Sequence, residues 1–348
     1  MRLLLNETDR LRWERLVSVM ERNDRILSLL APYLNETPRL VTRRMVRDLA
    51  RECEIPEESA YPVLLSAALG LNTDENAEDR LLEKTFLMPG LKRLDPREWR
   101  SDAYLQTVSL PVASAGRWRL CEESYAPYEP FVRDNPVRCA DGTEIPSLGY
   151  FTEEFRFPAV LENGVEWMAV KPNEIATMRE PIDRSRGKVV TFGLGMGYYA
   201  FHTARKEDVT SVTVVERDPA VIGLFRQHLL PQFPDREKIT VVEADAFAFA
   251  ERELPGLHAD TVFTDLWHDQ SDGLALYLRM RRLERLSPDS SFLYWIEPVL
   301  LSSLRRMVWD ALQSGDGQEI RTYGEAVALL SDESLRDLAP NLCRIDAD

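Results

Sequence analysis

An α/β fold built on a doubly wound parallel sheet is what this chain of 348 residues predicts, and three observations carry the prediction. Val189-Val190-Thr191-Phe192 is an apolar, β-branched run that feeds into Gly193-Leu194-Gly195-Met196-Gly197, with a helix-like segment behind it. Four further apolar runs follow, each separated from the next by a helix-length stretch, which is the rhythm of βαβ units. Three acids, Glu216, Asp245 and Asp265, stand at the ends of these runs, and such sheets bind ligands at the carboxyl ends of their strands.

Ahead of the sheet, residues 1–110 read as a helical N-terminal domain. Leu11, Leu16, Val19 and Met20 recur at helical spacing, as do Val41, Met45, Val46 and Leu49 after Thr37-Pro38. A further helix is expected from Glu57 to Leu69, a polar loop over Asn72–Asp79, and another helix start at Asp95-Pro96. Arg10, Arg12, Arg15, Arg22 and Arg25 alternate with acids, as on a solvated face. A substrate lid or a dimerisation surface is the role expected of this domain, the latter giving a homodimer. Residues 111–170 change texture to short β-prone runs such as Trp118-Arg119-Leu120 and Phe155-Arg156-Phe157, broken by Asp141-Gly142 and Asn163-Gly164. They form a small antiparallel β region, and Leu161 to Val170 reads as a hairpin on an Asn-Gly type I′ turn.

Residues 171–348 hold the sheet. Lys171-Pro172-Asn173-Glu174 leads into a helix before the first strand. The glycines after that strand let the backbone turn tightly and approach a ligand, to which the next helix offers free N–H groups. A dinucleotide loop would be Gly-x-Gly-x-x-Gly, with glycine where Tyr198 stands, so the spacing points away from NAD and toward S-adenosylmethionine (AdoMet). The second strand, Val209–Val215, ends in Glu216, 23 residues beyond Gly193 and placed to accept from both ribose hydroxyls. Asp218-Pro219 opens a helix as N-cap and first helical residue. The third strand begins at Ile239 and meets Asp245, the fourth runs from Ala259 to Asp265, and the fifth from Ser290 to Glu297. Pro298–Leu312 is an amphipathic helix. Beyond it only Gln318–Tyr323 could add a sixth strand, and 325–338 looks helical, which leaves a terminal β-hairpin open.

Residues of about 185 to 313 resemble the class I AdoMet-dependent methyltransferases, a Rossmann-like fold. The resemblance implies that Gly193, Gly195 and Gly197 lie under the methionine part of AdoMet. It likewise implies Glu216 on the ribose and Asp245 with Ala246 at the adenine amine. Thr191 departs from the pattern, because the family often carries an acid two residues before its first glycine. The hairpin and acidic helix start upstream also resemble the spermidine synthase (aminopropyltransferase) family. That family's fourth strand is followed by Asp-Ser-Ser-Asp-Pro or a near variant, which binds the polyamine. Here the place reads Asp265-Leu266-Trp267-His268-Asp269, and the hairpin lacks the family's glutamine.

Composition bounds the function. Residues 1–110 carry a net charge of −2 and the rest −13, within a total of −15. An acidic catalytic half repels phosphate backbones, so no nucleic-acid partner is expected, and a cationic or neutral small-molecule acceptor fits better. No apolar run approaches the roughly 18 residues of a membrane span, so no membrane partner is expected either. The start of the chain lacks the apolar stretch of a signal peptide, and a cytoplasmic location follows as the default. Cys53, Cys121, Cys139 and Cys343 have no Cys-x-x-Cys spacing, which speaks against zinc and against a disulfide framework.

Methyl transfer displaces a sulfonium leaving group, so an enzyme needs positioning and at most a general base. The candidate catalytic residues are Asp265, to orient or deprotonate the acceptor, and His268, to relay the proton near neutral pH. Glu174, Tyr198 and Trp267 are the candidate substrate-binding residues, with Trp295 and Glu297 at the end of the fifth strand. His202 and His228 fall inside helices and read as structural. No metal site is expected, since a short cluster such as Asp265, His268 and Asp269 is ordinary in loops. The expected function is AdoMet-dependent methyl transfer to an unidentified small molecule. Two alternatives stay open: aminopropyl transfer from decarboxylated AdoMet, and a non-catalytic AdoMet-binding protein that acts through its helical domain.

Overall fold

A computed structural model describes residues 2–314 and 319–342. Cys343 and Gln318, the first residue of the candidate sixth strand, lie outside the described residues. A two-residue strand, β1 (Arg2–Leu3), precedes the long helix α1 (Glu7–Glu36), and α2 (Arg43–Glu52), α3 (Glu57–Ala68) and α4 (Ala77–Leu82) follow. The buried stripe of α1 runs through Asp9, Trp13, Met20 and Asn23, at the helical spacing of three and four, so Leu11 falls off it and stands exposed. The polar loop expected to Asp79 ends earlier, because Asn76 caps α4 by accepting from the Glu78 and Asp79 N–H groups. Asp79 is buried and bonded to Arg25. This helical region also supplies β2 (Leu91–Arg93), which is too short to show an alternation, before the one-turn helices α5 (Pro96–Arg100) and α6 (Ala103–Thr107).

The β region contains β3 (Ala113–Ala115), β4 (Trp118–Tyr125), β5 (Phe131–Arg138), β6 (Glu144–Tyr150), β7 (Phe155–Glu162) and β8 (Val165–Ala169). They form two sheets, ordered β2-β6-β5 and β3-β4-β7-β8. Asn163 at φ 51° and Gly164 at φ 88° both take the left-handed conformation that a type I′ turn requires.

After α7 (Pro172–Arg184) come β9 (Gly187–Phe192), α8 (Tyr198–Ala204), β10 (Val209–Glu216), α9 (Pro219–Leu224), β11 (Ile239–Glu243), α10 (Ala246–Arg252) and α11 (Leu254–Leu257). The alternation continues through β12 (Thr261–Thr264), α12 (Gln270–Leu283), β13 (Ser291–Tyr294) and α13 (Glu297–Gln313). The five strands form one fully parallel sheet in the order β11-β10-β9-β12-β13. The order reverses between β9 and β12, and the crevice at that switch point is where a doubly wound sheet takes its ligand. Helices cover both faces, so the central strand is buried continuously from Val189 to Phe192. The chain thus has a doubly wound, Rossmann-like α/β architecture. The last strand, β14 (Glu319–Ile320), pairs in parallel with β1 and not with the main sheet, and α14 (Tyr323–Leu329) and α15 (Asp332–Leu338) follow it. Among the described residues no terminal hairpin extends the main sheet.

Three cores result. The largest spans the parallel sheet and reaches out to Trp13, Met20, Tyr104 and Trp118. A second joins Ile26, Leu30 and Tyr33 of α1 to α2, α3 and β6, and a third fills the β region around Phe151, Phe155 and Phe157. Trp13 stacks on Trp309 of α13 at a ring distance of 4.9 Å. The first half of α1 therefore belongs to the sheet domain and its second half to the helical region. Among the described residues no helix is long and apolar enough to cross a membrane.

Candidate functional site

A cleft of about 1140 Å³, open mouth included, lies at the carboxyl ends of β9, β10, β11 and β12, against the β7–β8 hairpin. Gly193 and Gly195 line it, with Glu216, Asp245, Ala246, Asp265, Glu174 and Trp267. Most residues named from the sequence therefore share one cavity. Gly193 (φ 97°) and Gly195 (φ 49°) are left-handed, a conformation open to glycine at little cost. A Cβ on Gly193 would stand 1.9 Å from the Asp265 carbonyl oxygen, and one on Gly195 would stand 1.9 Å from Met168 Sδ. Only glycine lets the tips of β9 and β12 meet at this point.

The Glu216 carboxylate accepts from the Leu194 N–H at 3.2 Å and from the Asp218 N–H at 2.8 Å, which orients it toward the cavity. Asp245 caps α10 by accepting from the Ala248 N–H at 2.9 Å. Glu174, in the first turn of α7, is buried without a hydrogen bond to its side chain among the described residues. Burial pushes its carboxyl up to about 7; the Lys171 ammonium opposes the rise and Glu166 adds to it. Burial, then the charges of Glu174 and Asp272, push Asp265 well above the usual carboxylate range. Two acids with raised proton affinity thus share the cavity. Six carboxylates line the cleft against two guanidiniums, and one of these, Arg117, is already paired with Glu162 at 2.8 Å and Asp218 at 3.1 Å. The enclosed field is negative. Trp118, Trp167, Trp267 and Trp295 supply its apolar walls.

Four of the expected residues, His268, Tyr198, Gly197 and Glu297, sit elsewhere. His268 does not line the cavity: its side chain is 43% exposed, Nε2 lies 3.0 Å from the Glu166 carbonyl oxygen, and Nδ1 lies 3.6 Å from Asp269. Helix capping accounts for this placement. Asp269 and Asp272 form a capping box on α12, and the His268 N–H donates to Asp272, so the backbone turns outward after Trp267. Tyr198 is buried behind the glycine loop, where its hydroxyl donates to Asp102 Oδ2 at 2.9 Å; it lines a small adjoining cavity and not the main one. Gly197 (φ 74°) faces the core, and a Cβ there would meet the Phe225 ring at 2.4 Å. Its smallness serves packing. Trp267 does form a wall, its ring packed on Gly273 and its indole N–H without a partner among the described residues. Trp295 also lines the cavity and donates from Nε1 to Thr177 at 2.9 Å, while Glu297 turns away to accept from the Tyr277 hydroxyl. His202 sits in α8, 3.4 Å from Asp102. Among the described residues no His, Cys, Asp and Glu cluster could hold a metal.

The β region contributes lining residues that the sequence alone did not single out: Arg117, Trp118, Glu162, Trp167 and Met168. Val160 pairs with Met168 and Leu161 with Glu166, which leaves Trp167 as the extra residue of a β-bulge. The bulge breaks alternation and brings two consecutive side chains to one cavity. Met168 Sδ accepts from the Met196 N–H at 3.1 Å and so rests on the glycine loop.

No family model matches the chain, and no curated protein sequence does. Among solved structures it is similar to a spermidine synthase in complex with the transition-state analogue AdoDATO, with a TM-score of 0.29, 16% identity, and coverage of 40% of this chain and 52% of that one. It is also similar to a structure described as an O-methyltransferase from Klebsiella pneumoniae, with a TM-score of 0.25, 17% identity, and coverage of 34% and 51%. The chain spans about half the length of each.

Proposed function

We propose that the protein is an AdoMet-dependent methyltransferase acting on a small-molecule acceptor. The observation that carries this reading is the line of Gly193, Gly195, Glu216, Asp245 and Ala246 along one cleft at the switch point of the sheet. The cradle fits the group: the two glycines, whose Cβ atoms would collide with the Asp265 carbonyl and Met168 Sδ, let bare loop backbone line the cleft, Glu216 offers a fixed carboxylate to a ribose, and the negative lining suits a sulfonium. Bound AdoMet supplies a methyl group activated by positive sulfur. Gly193 and Gly195 seat the methionine part, Glu216 accepts from the ribose hydroxyls, and Asp245 with Ala246 meets the adenine edge. Glu174 and Asp265 face the acceptor, and Glu174, with its carboxyl at about 7, takes the acceptor's proton. Trp267 and Trp295 exclude water from that end. His268 has no part in the step.

A second reading, aminopropyl transfer from decarboxylated AdoMet, is favoured by one observation. The Met196 N–H that could meet a carboxylate is occupied by the Met168 thioether.

Calorimetry tests the cofactor end. AdoMet and S-adenosylhomocysteine should bind the full chain, and Glu216→Ala should weaken binding by about 1.5–3 kcal/mol, the scale of hydrogen bonds to a charged group. NAD bound in preference to AdoMet would overturn the assignment. Transfer assayed with AdoMet and with its decarboxylated form separates the two readings.

A further inference from the structure

We infer that Trp118 and Arg117, at the edge of the antiparallel β4 sheet, are positioning residues that set ribose selectivity in the cleft by anchoring Asp218 and, through its backbone, Glu216. The inference rests on the nucleoside reading proposed above and adds to it a role for a part of the chain outside the parallel sheet. Trp118 Nε1 donates to Asp218 Oδ2 at 2.8 Å, and an Arg117 guanidinium nitrogen donates to the same oxygen at 3.1 Å. Arg117 is itself steadied by Glu162 at 2.8 Å and lies over the Trp118 ring, 5.1 Å from its centroid. The other Asp218 oxygen accepts from the Ala220 N–H at 2.9 Å, as the cap of α9. Asp218 therefore has no freedom to rotate, and its own N–H donates to Glu216 Oε1 at 2.8 Å.

Glu216 is thus held at both oxygens by backbone N–H groups, Leu194 from the glycine loop and Asp218 from the anchored turn. A carboxylate pinned twice presents its remaining lone pairs in one fixed direction, which is what reading two vicinal hydroxyls requires. Without the anchor on Asp218, the turn after β10 keeps its helix cap but loses its tie to the β region. The carboxylate then relaxes, and the second hydroxyl is no longer distinguished. Trp118 is 6% exposed and meets Trp167 edge-on, so the donor approaches Asp218 from a packed wall.

The test compares the affinities of S-adenosylhomocysteine and its 2′-deoxyribose analogue for the full chain, measured by calorimetry. Wild type should favour the ribose ligand by roughly 10- to 100-fold, as expected for a hydrogen bond to a charged acceptor. Trp118→Phe should bring that ratio to within about threefold, a change that loss of packing alone, which weakens both ligands alike, does not produce. Asp218→Ser keeps a helix cap but is too short to reach Trp118, and it should lower the ratio in the same way, which covers the case of Trp118→Phe failing to fold. Glu216→Gln separates the two levels. If Glu216→Gln abolishes the preference while Trp118→Phe and Asp218→Ser both retain it, the anchoring role is overturned and the nucleoside site stands. If wild type binds both ligands equally, Glu216 does not discriminate the ribose and the anchoring role is overturned while the nucleoside site stands; if it binds neither, the nucleoside reading fails and the anchor falls with it.

Discussion

Glu174 and Asp265 enter the cavity from different elements, α7 and the loop after β12, and neither has a hydrogen-bonded partner for its side chain among the described residues. Carboxylates left in that condition hold protons more tightly, and the group nearest its ionisation at neutral pH is the one suited to accept another proton. Glu174→Gln should lower turnover by roughly 10²–10⁴ and remove a rise in rate with pH centred near 7, while affinity for S-adenosylhomocysteine stays within about threefold. His268→Ala should stay within about threefold of wild-type turnover, since general-base losses of 10² or more require contact with the reacting group. Steady-state kinetics from pH 5 to 9 checks both, and a large loss in His268→Ala alone would return that histidine to the reaction. Much of this end was legible in the sequence. An acid closing a strand is recognisable, and Asp265 and Glu216 are where their positions imply. His268 was not, because the outcome depended on which partner Asp269 chose, and a helix cap three residues from Asp272 won.

At the scale of elements, the glycine loop separates two jobs that one motif conceals. Gly195 lines the cleft and packs on Met168, whereas Gly197 faces the Phe225 and Phe233 rings. Gly195→Ala should abolish measurable AdoMet binding in addition to the roughly 1 kcal/mol that its left-handed φ costs, as Met168 is flexible enough to move. Gly197→Ala should instead lower the stability of the free protein by about 1–3 kcal/mol through overpacking and a disfavoured φ. Urea unfolding with and without S-adenosylhomocysteine distinguishes the two. The parallel sheet was readable because its strands are continuous apolar runs with punctuated ends. The β region was readable as hairpins but not as lining, since the bulge at Trp167 and the reach of Trp118 across to Asp218 are tertiary facts with no local signature. Ile296, a β-branched residue at φ 47° beside Trp295, is another such fact: strain of that kind gathers where a structure must aim a side chain.

For the whole molecule, the raised carboxyls tie stability to pH with a definite sign. Glu174 keeps its proton in the folded state up to about 7 but releases it near 4.5 when unfolded. Between those values the native state binds the extra proton, so its contribution to stability is full below pH 4.5 and fades as pH rises through 7. Asp265, shifted in the same direction, adds to the effect. Relative to Glu174→Gln, wild type should therefore lose on the order of 3 kcal/mol of stability between pH 4.5 and 8. Denaturation curves at the two pH values measure the difference, and equal slopes for both proteins would show that Glu174 ionises normally. A different consequence follows from the stack of Trp13 on Trp309. Two rings placed near opposite ends of the chain can meet only after almost all of it has been synthesised. The start of α1 must therefore leave the ribosome with its tryptophan unburied and wait for α13, although its other half can already pack on α2 and α3. Closing so long a loop is slow, and the exposed indole is a natural point of contact for a chaperone during that delay.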